Sequence, residues 1–100
     1  MASAPKAFYR AALPTALTTV YTVPAAGQAV ITNIVATNPA TSSASVTVRL
    51  GGVPLLANVG IAPHGVLTLD VRQVLNAGDK IEVQGNAAQA LTHISGVEVS

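Results

Sequence analysis

The sequence predicts an all-β chain, an antiparallel β-sandwich of jelly-roll type with about seven or eight strands and an extended N-terminal arm. Three observations predict it. Apolar residues alternate with polar ones at a period of two through most segments, the mark of strands with one buried face. Gly, Pro, Asn and Asp recur between those segments as turn signals. No stretch holds a helical period.

The clearest stretch is Val66 to Gly85. Leu67, Leu69 and Val71 alternate with Thr68, Asp70 and Arg72, and Ile81 and Val83 alternate with Lys80, Glu82 and Gln84. Leu75 lies between them as a plug for the open end of a sandwich. Asn76-Ala77-Gly78-Asp79 supplies the turn, with Gly78 free to take positive φ and Asp79 placed to accept a backbone N–H. Asp70 and Glu82 fall on outward positions of strands adjacent in sequence, with Arg72 and Lys80 beside them. Cross-strand ion pairs are expected there.

The remaining elements follow in chain order. Residues 1–15 carry Pro5, Pro14 and the cluster Phe8-Tyr9-Arg10 without a sustained period, and read as an arm preceding a sandwich domain over 16–100. Two of the three aromatics lie in it, so it is expected to dock on a neighbouring subunit, with Phe8, Tyr9 and Arg10 as anchors. The other reading is a tail packed on its own domain. Ala16 to Val23 favours a strand that Pro24-Ala25-Ala26-Gly27 stops. Gln28 to Asn38 has apolar residues on both parities, which means two buried faces or a bulge near Thr32-Asn33. After a loop over Asn38 to Ser43, Ser45 to Leu50 alternates with Val46, Val48 and Leu50 inward. Gly51-Gly52 reads as a two-residue hairpin turn. Val53 to Ile61 carries Pro54 near its start and so belongs at an edge. Ala62-Pro63-His64-Gly65 and Asn86 to Ala90 are connections. Leu91 to Val99 is the last strand, with a change of parity and a bulge expected at Gly96.

Composition bounds the function. For 100 residues, scaling predicts one domain that buries about 64% of its unfolded surface and leaves about 5,200 Å² exposed. Only 9% of residues are charged, against about a quarter in ordinary soluble domains. A net charge of +1 gives no electrostatic footprint for nucleic acid. The apolar residues are broken too often for a membrane-spanning helix, and Lys6 and Arg10 interrupt any secretory signal core. Three aromatics are too few for a base-stacking or sugar-binding strip. The absence of cysteine removes disulfides and thiolate metal sites.

Candidate chemistry is correspondingly thin. His64 stands in a Pro-His-Gly turn and His93 in a strand, without a shared metal-ligand spacing. His93 is expected as an outward strand residue or a polar group at a subunit contact. No nucleophile elbow, P-loop or dinucleotide fingerprint occurs. Arg10, Arg49 and Arg72 lie in separate segments and read as ordinary surface charge. No catalytic, cofactor or metal residue is assigned, and the chain is expected not to be an enzyme. The shortage of charge points instead to an oligomer, because interface cores are depleted in Lys, Glu and Asp.

Tyr21-Thr22-Val23-Pro24-Ala25, Ala29 through Val35 and Asn38, Leu67 through Asp70 with Leu75-Asn76-Ala77-Gly78-Asp79-Lys80-Ile81-Glu82-Val83, and His93 through Val99 resemble small β-sandwich proteins of tailed bacteriophage virions. The resemblance covers residues 16 to 99. It implies a structural module, made in the host cytoplasm and located on the virion. The form it favours is a capsid decoration or cement protein, a homotrimer whose partner is the major capsid protein. Tail, baseplate or fibre accessory modules are the alternative that it implies. A module binding host-surface carbohydrate is the third reading, and the scarcity of aromatics counts against it.

Overall fold

The computed structural model describes residues 3–86 and 90–99. Its strands are β1 (Ser3–Ala12), β2 (Thr18–Thr22), β3 (Gln28–Thr37), β4 (Ala44–Leu50), β5 (Val53–Ile61), β6 (Val66–Leu75), β7 (Lys80–Gly85) and β8 (Leu91–Val99). They form two four-stranded sheets, β1-β8-β3-β6 (sheet I) and β2-β7-β4-β5 (sheet II). Every pairing is antiparallel. Among the described strands only β4 and β5 follow one another within a sheet; every other consecutive pair belongs to different sheets. That order is the double Greek key of an eight-stranded jelly roll.

Local chemistry accounts for much of this. Gly51 and Gly52 take φ of 61° and 82°, the pair of positive values that a tight hairpin turn demands. Pro54 is the second residue of β5, an edge strand, where its missing N–H breaks no ladder. In the 76–79 connection, Asp79 Oδ2 accepts from the Asn76 N–H at 2.9 Å. Ile31, Ile34, Ile81, Ile94, Val46, Val48 and Val83 fill the space between the sheets without solvent exposure. Leu75 closes one end of that core, as its position in the sequence implies, and Leu13 closes the other.

Asn38 does more than its place in a polar loop indicates. Fully buried, it shares its side-chain N–H groups among the carbonyls of Ser42 (2.8 Å), Ile61 (3.1 Å) and Ala62 (3.2 Å). Its Oδ1 accepts from the Ala40 N–H at 3.0 Å. Its backbone N–H donates to Gly65 at 2.9 Å. One amide therefore holds the β3–β4 and β5–β6 connections together.

Three expectations are corrected. Residues 3–12 are not an arm: they form β1, paired along its length with β8 from Ser3↔Val99 to Ala12↔Leu91. The period is hidden because β1 carries an extra residue, Phe8, where its register shifts between Ala7 and Tyr9, and Pro5 is tolerated because β1 is an edge. Secondly, β6 and β7 are not paired neighbours; β6 pairs with β3, and β7 pairs with β2 and β4. The 76–79 turn carries the chain from sheet to sheet, so Asp70 and Glu82 do not face each other across a ladder. Asp70 accepts instead from Asn33 Nδ2 at 3.2 Å.

Thirdly, the bulge expected at Gly96 lies on the strands beside it. Both flanking strands shift, β1 at Phe8 and β3 at Thr32, while β8 runs on in phase through Thr92, Ile94 and Gly96, all buried. The Thr32 shift is one of the two solutions that the parity of β3 permits. Gly96 is needed for space: a Cβ there would overlap the Val30 carbonyl oxygen and lie 3.0 Å from Phe8 Cε2. Part of the Asn86–Ala90 connection lies outside the described residues.

Gly96→Ala is expected to lower stability in urea by about 3 kcal/mol or more, since backbone must move to admit the methyl group. Gly60→Ala, at a position with nothing within 4 Å of the added carbon, should stay within about 0.5 kcal/mol of wild type. Equal losses in the two variants would show that the packing at Gly96 is not what matters.

Candidate interaction surface

The bulge in β1 sends the three expected anchors to three different places. Phe8 turns inward and is 6% exposed, its ring 4.7 Å from that of Tyr21 in a tilted arrangement. It is a core residue and cannot anchor a neighbouring subunit. Tyr9 is partly buried against the same core, and its hydroxyl donates to the Ala12 carbonyl at 2.5 Å. Burial pushes the Tyr9 phenol up from its ordinary pKa. Arg10 alone is exposed, on the outer face of sheet I in register with His93.

A second group of polar residues spans the two sheets beside β1. Tyr21 on β2 donates its hydroxyl to Glu98 Oε2 on β8, and Glu98 Oε1 lies 3.8 Å from Lys6 Nζ on β1. The Lys6 ammonium also stands 5.8 Å from the Tyr21 ring centroid. The Tyr21 phenol is pushed up to about 12, by burial first, then by its hydrogen bond to Glu98 and that group's negative charge. A phenol held protonated in this way is a structural donor, not a base. The cluster staples β1, β2 and β8 at the margin of the sandwich.

The other candidates disperse. Arg49 lies on sheet II and donates Nη2 to the Gly52 carbonyl at 2.7 Å, whereas Arg10 and Arg72 belong to strands of sheet I, so the three do not converge. His64 is an exposed turn residue at φ 59°. Among the described residues, no three His, Cys, Asp or Glu side chains group as metal ligands. A depression of about 430 Å³ between the 23–27 and 76–79 connections is lined by small residues such as Ala25, Ala26 and Ala77, with Gln28 and Asn76 the polar side chains.

What the fold does assemble is two unlike outer faces. Sheet II presents Lys80, Glu82 and Gln84 from β7 and Thr47 and Arg49 from β4, with Arg49 and Glu82 in direct register. Sheet I presents rows read across its strands. Pro5, Val97, Val30 and Val74 make one row through all four strands. Ala12, Leu91, Thr37 and Val66 make another. Val74 is 60% exposed, Val66 59% and Leu91 44%. The low-charge composition anticipates such a face, but only strand order and the bulges decide which residues share it.

No family model matches the chain, and no curated protein matches it. Solved structures do. The exo-β-1,3-galactanase of Phanerochaete chrysosporium in complex with galactose is similar over 100% of this chain and 30% of its own, at 14% identity and a TM-score of 0.44. A pentameric capsid protein isolated from metagenomic phage sequences is similar over 91% of this chain and 59% of its own, at 20% identity and a TM-score of 0.39. The chain thus spans under a third of the galactanase. At these TM-scores the likenesses assign no function.

Two predictions follow from the placement of these side chains. Phe8→Ala is expected to lose about 3–5 kcal/mol of stability and Arg10→Ala less than about 0.5 kcal/mol, as read from urea melts; the opposite ranking would restore Phe8 to the surface. A phenol whose pKa is raised by folding stabilises fully below its unfolded value, and that contribution is lost as pH rises through the folded one. The urea midpoint should therefore decline between about pH 10 and about pH 12, with Tyr21→Phe removing most of the slope and Tyr9 accounting for the remainder.

Proposed function

We propose that the protein is a non-enzymatic structural component of a tailed-phage virion, a decoration protein that binds the outer surface of the capsid as a homo-oligomer and stabilises the head. The observation that carries this reading is the outer face of sheet I. Two apolar rows cross it, Pro5-Val97-Val30-Val74 and Ala12-Leu91-Thr37-Val66, on either side of two polar ones; exposed apolar rows on small proteins serve to be covered, and the cores of such contacts are poor in charge. The likeness of residues 16–99 to virion β-sandwich modules supplies the class of partner, the major capsid protein. A protein of this kind acts by mass action: it binds the assembled shell in preference to its dissociated parts and so favours assembly. Several linked copies strengthen that effect without any new contact.

Gold-labelled antibody on purified virions tests the location. Label on heads supports the reading, label on tails transfers the protein to the tail or baseplate alternative, and unlabelled particles end both. Heads stripped of the protein should release DNA at a temperature several degrees lower than decorated ones and recover on its addition. Equal release temperatures would remove the stabilising role, and selective binding on a glycan array would favour carbohydrate recognition instead.

A further inference from the structure

We infer that the outer face of sheet I is an interface between two copies of this chain, related by a two-fold axis that runs along the strands between β8 and β3. The inference is carried by the surface alone and does not rest on the virion reading.

Self-complementarity is the first argument. A two-fold axis in that direction lays β1 of one copy over β6 of the other and β8 over β3, with every row kept at its own height. The row Pro5-Val97-Val30-Val74 then meets its own reverse, and Val97 of each copy comes to rest on Val30 of the other. Isologous contact of this kind needs a patch that matches itself on reversal, and this row does.

Charge is the second. Arg10 and Asp70 lie at outward register positions on the two opposite edges of the sheet. Arg10 is in the row with His93, Val35 and Thr68, and Asp70 is in the next row, with Ala7, Ser95 and Asn33. The same operation places Arg10 of one copy over Thr68 of the other, about 7 Å along the strand from Asp70, within the reach of an arginine side chain. Symmetry makes the pair twice. Sheet II offers no equivalent, because Arg49 and Glu82 are already neighbours within one copy.

Size is the third. Four strands about 4.8 Å apart with outward rows over about nine residues cover about 600 Å² per copy, or about 1,200 Å² in all, which lies in the range of specific interfaces. The contact also covers Val74, Val66 and Leu91, three of the five large apolar side chains exposed among the described residues.

The experiment is light scattering coupled to gel filtration on the full chain over a range of micromolar concentrations. The expected species has twice the 10.0 kDa chain mass. Val74→Lys, at an exposed site that folding does not need, should weaken the pair at least about tenfold, while Val53→Lys on sheet II should leave it unchanged. Arg10→Glu should weaken it, and Arg10→Glu combined with Asp70→Arg should restore it. A wild-type monomer, a trimer, or a dimer indifferent to Val74→Lys overturns the inference. Binding to stripped heads is measured separately: a monomer that binds heads overturns the pairing and leaves the decoration role standing, and a Val74-sensitive dimer that ignores heads does the reverse.

Discussion

The close approach of the β3 backbone to Gly96 is the constraint on which sheet I depends. Strand β8 passes through the middle of that sheet without a break in phase, and the strands on each side absorb the strain by adding a residue, Phe8 on β1 and Thr32 on β3. The Val30 carbonyl and the Phe8 ring then occupy the volume that a side chain at position 96 would take. Each bulge also exchanges the faces of its strand. Ile34 points inward above the bulge in β3 and Ile31 points inward below it, so that Val30 is turned outward beside Val97. The same packing that completes the core thus builds the apolar row on the outside.

This explains which parts of the chain are legible from sequence and which are not. Turns decided by one or two residues are legible: Gly51-Gly52, Pro54, Asp79 and the plug at Leu75 all do what local chemistry requires. Strand β1 is not, because a bulge residue that is also a core aromatic breaks the alternation by which a strand is recognised. Nor is the separation of β6 from β7, since a four-residue turn serves equally for a hairpin and for a crossing between sheets. Asn38 shows a third limit. A buried amide that serves four partners in two connections has the same sequence signature as an exposed loop asparagine.

The candidate site follows the same division. Composition makes a charge-poor surface evident, but the assignment of Val30, Val74 and Val97 to one row requires two pairings that span residues 30 to 97. Phe8, Tyr9 and Arg10 form one cluster in sequence and separate into core, margin and outer face once the bulge is in place. Charge behaves likewise: Lys6 and Glu98 meet across 3.8 Å from opposite ends of the chain, whereas Asp70 and Glu82, close in sequence, lie on different sheets.

The position of β8 has a consequence for biosynthesis. It is the last of the eight strands to leave the ribosome, yet it occupies the interior of sheet I, between β1 and β3. Until it emerges, those two strands have no partner on their inner edges, and Phe8 has no Gly96 to cover. The nascent chain therefore cannot complete its nucleus strand by strand, and its folding waits for the contact between β1 and β8, the kind of long-range closure that makes β-topologies slow. During that interval the unpaired edges are open to other chains. Such a protein depends on rapid closure once β8 emerges, and the low charge that suits its finished surface gives the unfinished one little protection.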